Sequence, residues 1–136
     1  MSSESQAKED NIELSLPINP AYVSAARLTA SSIANRIGFD ADEIEDIKAA
    51  VSEACTFIIK NSSPNDKSFF KVTFAIYEAT LGICLSCDQP FPAVDVAKEM
   101  GLLMIKALMD DIKLITDNPK FFSVKMMKNH KINAFA

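Results

Sequence analysis

Residues 40–62 read DADEIEDIKAAVSEACTFIIKNS. Ile44, Ile47, Val51, Cys55 and Ile58 recur every three or four positions, which is the spacing of one buried face of an α-helix. Asp40 followed by Glu43 is a capping-box pair, and the acids clustered at the front suit the positive end of a helix dipole. The helix ends at the turn-rich NSSPND, residues 61–66. One further pair stands out on it. Glu53 and Phe57 are four apart, so a carboxylate and a phenyl ring lie one above the other.

Immediately downstream the hydrophobic period changes from near four to two. SFFKVTFAIY (68–77) and TLGICLSC (80–87) read as two strands joined by Glu78 and Ala79, a two-residue hairpin. Upstream, IELSLP (12–17) alternates and is stopped by Pro17. Asn19 and Pro20 suit the N-cap and first position of another helix. Its stripe is Val23, Ala26, Ala30, Ile33 and Ile37, and Gly38 closes it. Beyond the hairpin, DQPFP (88–92) is a loop. Residues 94–109 read as a third helix, with Val96, Met100, Leu103 and Leu108 among its apolar positions. DIKLIT and FFSVKMM are two more strands around the turn DNPK. The order β-α-α-β-β-α-β-β predicts an α+β fold: a two-layer sandwich, a mostly antiparallel sheet with three helices on one face.

Composition restricts the function classes. At 136 residues, 49% hydrophobic and 24% charged, the chain suits one globular domain, expected over 12–128. Residues 1–11 read as a disordered tail and 129–136 as a C-terminal tail. No apolar run is long enough for a membrane span, and the polar start carries no secretory signal, which implies a cytoplasmic protein. The net charge of −4 argues against direct nucleic-acid binding, and the lysines near KNHK (128–131) read as solvated surface. Cys84 and Cys87 form a CxxC on a strand. Residues three apart on a strand face opposite ways, so the pair cannot share a metal.

Three stretches carry a resemblance: INPAYVSAARLTASSIANRIGF (18–39), DEIEDIKAAVSEACT (42–56) and MGLLMIKALMDDIKL (100–114). Together with the element order they resemble the Bergerat-fold, or GHKL, ATPases, and within them the anti-sigma factor serine kinases. The resemblance implies three chemical boxes. In the first, a helical Glu serves as general base and an Asn four residues on binds Mg²⁺. Glu53 matches the base, but Phe57 occupies the metal-ligand position and offers no oxygen to a hard cation. In the second, an Asp-x-Gly-x-Gly loop recognises adenine. Asp88 matches the Asp, but Pro90 and Pro92 replace both glycines, removing N–H groups and fixing φ. In the third, a glycine-rich turn holds phosphates at a helix N-terminus. Only Gly101 remains, Glu99 adds a negative charge there, and the intervening lid segment is short.

These departures imply a Glu53 that no longer works as a base, with Asp88 and Gly101 as residual nucleotide positions. No metal and no cofactor are expected; ATP with Mg²⁺ is the alternative. The function implied is an anti-sigma-like regulator that binds a sigma factor or an anti-anti-sigma (STAS-type) protein without kinase activity. The alternative is an active serine kinase that phosphorylates an anti-anti-sigma factor. Ser24, Arg27, Ser31 and Asn35 share a polar face of the first helix. Arg27 matches a family arginine used in partner contact, so Ser24, Arg27 and Ser31 are the candidate partner surface. A homodimer is also implied.

Overall fold

A computed structural model of the chain describes residues 10–63 and 68–130. The first strand, β1, spans Asp10–Pro17, so pairing begins two residues before the expected domain start at Ile12. The remainder of the expected N-terminal tail lies outside the described residues, as do residues 131–136.

Asn19 accepts a hydrogen bond from the Ala21 N–H at 2.9 Å and caps a single 3₁₀ turn, Pro20–Tyr22. That turn runs directly into helix α1, Val23–Ile37. α1 buries Ala26, Ala30, Ile33 and Ala34, while Val23 and Ile37 at its ends are half-buried. Gly38 ends it with φ 106°, a left-handed conformation that a side chain would strain, and donates back to Ala34 and Asn35. Helix α2 spans Ala41–Lys60 and opens with the full capping box: Glu43 N–H to Asp40 and Asp40 N–H to Glu43, each 2.8 Å. It buries Ile47, Ala50, Val51, Ala54, Cys55, Phe57 and Ile58, with Ile44 half-buried.

Strands β2 (Phe69–Tyr77) and β3 (Thr80–Cys87) form the hairpin, with Glu78 turning at φ 55°. Helix α3 is Met100–Leu108, β4 is Asp111–Ile115 and β5 is Phe122–Asn129. The sheet order is β1-β2-β3-β5-β4, antiparallel at every pairing. Phe70, Val72, Phe74, Leu81, Ile83, Leu85, Val124 and Met126 are buried beneath the helices. The opposite sheet face carries Thr73, Ala75, Gly82, Cys84, Lys113 and Lys125 around a shallow concavity of about 330 Å³. The α+β two-layer sandwich with three helices on one face is therefore the fold.

Two expectations need correction. The helix expected over 94–109 is broken. A 3₁₀ turn covers Val96–Lys98, Glu99 is extended (φ −75°, ψ 110°), and α3 begins only at Met100. The break resets the buried stripe: Leu102 and Ile105 are covered, whereas Val96, Met100 and Leu103 are exposed. The lysines near residue 128 are not all solvated either. Lys128 is buried on β5, donates to the Leu108 carbonyl at the end of α3, and lies 3.6 Å from Asp46 of α2. An amine there satisfies a helix C-terminal carbonyl that has no partner within its own helix. Cys84 and Cys87 do face opposite ways: Cys84 is half-buried on the open face and Cys87 buried beneath the helices.

Candidate functional site: the cleft between α2 and α3

α2 lies between α1 and α3, and its last two turns gather most of the residues singled out by the sequence. Glu53 is half-buried there. Its Oε1 would lie 3.2 Å from a Cβ added at Gly101. Gly101 thus lets the first turn of α3 pass close to the Glu53 carboxylate, and it has no positive φ to explain it.

Phe57, one turn beyond Glu53, is 1% exposed. Its ring meets Phe91 at 5.8 Å and Phe122 at 6.3 Å between centroids, and those two rings meet each other at 5.3 Å. Two of the three contacts are edge-on, the arrangement that places a positive ring edge on a negative ring face. Phe91 belongs to the DQPFP loop and Phe122 begins β5. The loop is therefore drawn onto α2 by its phenyl ring. Gln89 fastens it again, donating to the Ser62 hydroxyl at 3.0 Å, while Ser62 donates to the Ile58 carbonyl at 2.7 Å.

Asp88 behaves differently. It is exposed at the end of β3, and its charge acts on Lys71, whose pKa is raised chiefly by its hydrogen bond to Glu13. Asp88 is not drawn into the cleft with Glu53, Phe57 and Gly101.

Glu99 completes the cleft. Its Oε1 accepts from the Gly101 N–H at 2.8 Å and its Oε2 lies 2.9 Å from Lys60 Nζ. The hydrogen bond from Lys60 is the main reason its carboxyl is held below the usual carboxylate range. The first-turn amides of Gly101 and Leu102 act the same way, against desolvation. A negative charge therefore sits on the N-terminus of α3, supplied by the chain itself.

Measured against a Mg²⁺-bound nucleotide, these residues do not fit. The metal-ligand position holds a buried phenyl ring, the loop that should offer N–H groups offers two prolines, and the anion position of α3 already carries a carboxylate. Among the described residues no three His, Cys, Asp or Glu side chains converge on a metal position. The first concavity lies on the open sheet face, and a second of about 300 Å³ runs between α3 and the edge strand β4. Neither is lined by Glu53, Phe57, Asp88 or Gly101.

The candidate partner residues lie elsewhere. Ser24 and Asn35 are exposed on α1, Arg27 and Ser31 half-buried, with Leu28 exposed beside them at 63%. They form a mixed polar and apolar surface on the far side of α2 from α3. Sequence reasoning did not identify Phe91, Gln89 or Lys60. Their signal was faint: a Phe between two prolines, an ordinary amide, and a lysine in the last turn of a helix, where dipole chemistry already accounts for one.

A layer of three helices on one face of an antiparallel five-stranded sheet, in the order β1-β2-β3-β5-β4, is the architecture of the histidine kinase-like ATPase fold. The chain belongs to the Histidine kinase-like ATPase domain family, whose sequence profile matches residues 16–128. It is 33% identical over 126 aligned residues to the serine-protein kinase RsbW of Bacillus thuringiensis (strain Al Hakam), covering 79% of each chain. The serine-protein kinase RsbW of Bacillus cereus (strain 03BB102) matches to the same extent. Among solved structures it resembles the RsbU and RsbW domains of Rv1364c from Mycobacterium tuberculosis, with a TM-score of 0.74 and 16% identity. That match covers 92% of this chain and 34% of the longer one. It also resembles the SiaB–SiaC complex from Pseudomonas aeruginosa, with a TM-score of 0.64, 15% identity, and 85% and 88% covered. At these identities the two structures speak for the fold. Among the described residues no helix is long and apolar enough to cross a membrane.

Proposed function

We propose that this chain is a regulator of the anti-sigma type that binds a sigma factor or an anti-anti-sigma (STAS-type) protein by surface complementarity, without phosphoryl transfer. It would act in the cytoplasm, as a homodimer. The relatives named RsbW support the anti-sigma part, and the neighbour solved as a SiaB–SiaC complex supports a protein partner. The observation that carries the non-catalytic part is the Phe57–Phe91–Phe122 cluster beneath the DQPFP loop. Phosphoryl transfer depends on a metal and a phosphate clamp to position and neutralise the transferred group. Here the first is replaced by a phenyl ring and the second by Glu99.

The second reading is an active serine kinase that phosphorylates an anti-anti-sigma factor. What favours it is that the relatives are named serine-protein kinases, and that Glu53 is still half-buried against α3. Titration calorimetry with Mg-ATP and Mg-ADP decides between the two. No heat of binding is expected. Saturable Mg-dependent binding, or transfer of labelled phosphate to a partner serine, overturns the first reading.

Partner capture is assigned to Ser24, Arg27 and Ser31 on α1. Arg27→Glu should abolish capture of the cognate partner in a pull-down. Melting should barely change, because surface substitutions stay within about 0.5 kcal/mol. Equal capture by wild type and variant removes this face.

A further inference from the structure

Four groups meet where α2 ends and α3 begins: Glu53, Lys60, Glu99 and the first-turn amides of α3. A helix start leaves N–H groups without intrahelical partners and favours an anion. Ser, Thr, Asp or Asn ordinarily meets that need from the N-cap position. Glu99 occupies the N-cap here, and its longer side chain does something a serine cannot. One carboxylate oxygen takes the Gly101 N–H at 2.8 Å while the other reaches 2.9 Å to Lys60, on the neighbouring helix. The side chain is only 10% exposed. Glu53 also approaches Gly101: its Oε1 and that of Glu99 each lie 3.2 Å from the same added Cβ position. Lys60 is the cation that pairs with Glu99 there.

We propose that Glu99 is an intramolecular latch. Its carboxylate occupies the oxyanion position of the α3 N-terminus and, through Lys60, fixes α3 and the segment before it against α2. The arrangement that a bound oxyanion would impose on these two helices is thus written into the sequence and does not follow ligand supply. The proposal rests on the closed-cleft reading given under Proposed function and deepens it: the cleft is filled and also held shut by a charge bridge.

Hydrogen exchange by mass spectrometry on the full chain tests it, with wild type, Glu99→Ser, Glu99→Ala and Lys60→Met. Glu99→Ser keeps cap chemistry and loses only the bridge. Exchange over residues 93–105 should accelerate about threefold to fivefold in Glu99→Ser and Lys60→Met, which lose only the bridge, and about tenfold or more in Glu99→Ala, which loses the cap as well. Inorganic sulfate is the probe for the vacated position. It should restore protection in Glu99→Ala, leave wild type unchanged, and do much less in Lys60→Met, which keeps the carboxylate and lacks the cation. Wild-type exchange in Glu99→Ser would make Glu99 a plain cap and overturn the latch. An equal sulfate response in wild type and Glu99→Ala would overturn it too. The readouts separate from those of the proposed function: Mg-ATP binding would defeat the non-catalytic reading whatever the exchange rates, and a failed latch leaves the calorimetry untouched.

Discussion

Phe57→Asn restores an oxygen-bearing side chain at the position where the resembled family carries its metal ligand, and the structure predicts harm from it. The ring is 1% exposed and touches two other rings. Removing a buried phenyl to alanine costs about 3 to 5 kcal/mol. Asparagine refills part of that volume, but its amide would stand among Phe91 and Phe122. The residue's own backbone carbonyl already receives the Asn61 side chain at 2.8 Å. An amide without partners in such a place costs on the order of 1 to 3 kcal/mol. Partial refilling and the new polar group roughly offset each other, leaving a net loss of about 3 to 5 kcal/mol.

For a domain of this size that lowers the melting temperature by roughly 12 to 20 °C. The assay is thermal melting of wild type and variant, each with and without Mg-ATP. Thr56→Asn, one residue away on the exposed side of α2, is the control and should stay within about 0.5 kcal/mol. Nucleotide should not rescue Phe57→Asn, because Pro90, Pro92 and Glu99 remain. A neutral melt for Phe57→Asn together with a Mg-ATP-dependent rise would refute the reasoning, since it would mean an open pocket with a tolerated phenyl ring at its wall.

Three further outcomes follow from single contacts. Lys128→Met should cost about 1 to 3 kcal/mol in a urea melt, because it strands the Leu108 carbonyl that Lys128 satisfies. Iodoacetamide at pH 8 should modify native protein first at Cys84. Cys55, whose thiol burial pushes up to about 12, and buried Cys87 should react only after denaturation. The third concerns pH. The carboxyl of Glu99 is lowered from its ordinary 4.5 by Lys60 and the α3 amides, so its stabilisation is whole above that pH and is lost as pH falls through the folded value. The urea midpoint of wild type minus that of Glu99→Gln should therefore shrink below about pH 4.5, and a flat difference down to pH 3 would count against the pairing.

The sequence disclosed most of the fold because its strongest signals are periodic. α2 has seven buried positions at helical spacing and a capping box in its first turn, and the strands alternate cleanly. It misled at α3 because Val96, Met100, Leu103 and Leu108 continue a helical spacing across the break, and Ala97, Lys98, Glu99 and Met100 are all good helix formers. At the break Glu99 caps Gly101 and also reaches Lys60 on α2, a tertiary contact that no local pattern encodes. Lys128 was misread for the same reason: its stem runs along buried strand surface and its amine meets a helix end contributed from twenty residues away. The departures from the resembled family's boxes were legible by letter, since Phe57, Pro90 and Pro92 can be named without coordinates. What replaces their contacts was not. Phe91 looks like one apolar residue in a proline-rich turn, and only the register of β5, which brings Phe122 opposite Cys87, makes it the third member of an aromatic cluster.

The closures of the cleft are not independent. Phe57, Lys60 and Ser62 lie within the last turns of α2 and its exit. Each is joined to the segment between β3 and α3: Phe57 to Phe91, Ser62 to Gln89, Lys60 to Glu99. A ligand entering between α2 and α3 would have to lift that whole segment. An aromatic pair contributes about 0.5 to 1.5 kcal/mol beyond its buried area. A hydrogen bond adds about 0.5 to 1.5 kcal/mol, and a half-exposed ion pair no more than about 1 kcal/mol. Re-exposing the Phe91 ring adds about 1.5 kcal/mol or more. Opening therefore costs on the order of 4 kcal/mol, which lowers the apparent affinity of any ligand that needs the open form by about a thousandfold. A single back-substitution relieves only one of these contacts. The wild-type balance thus favours the filled cleft even for a ligand that would bind the opened form at micromolar strength.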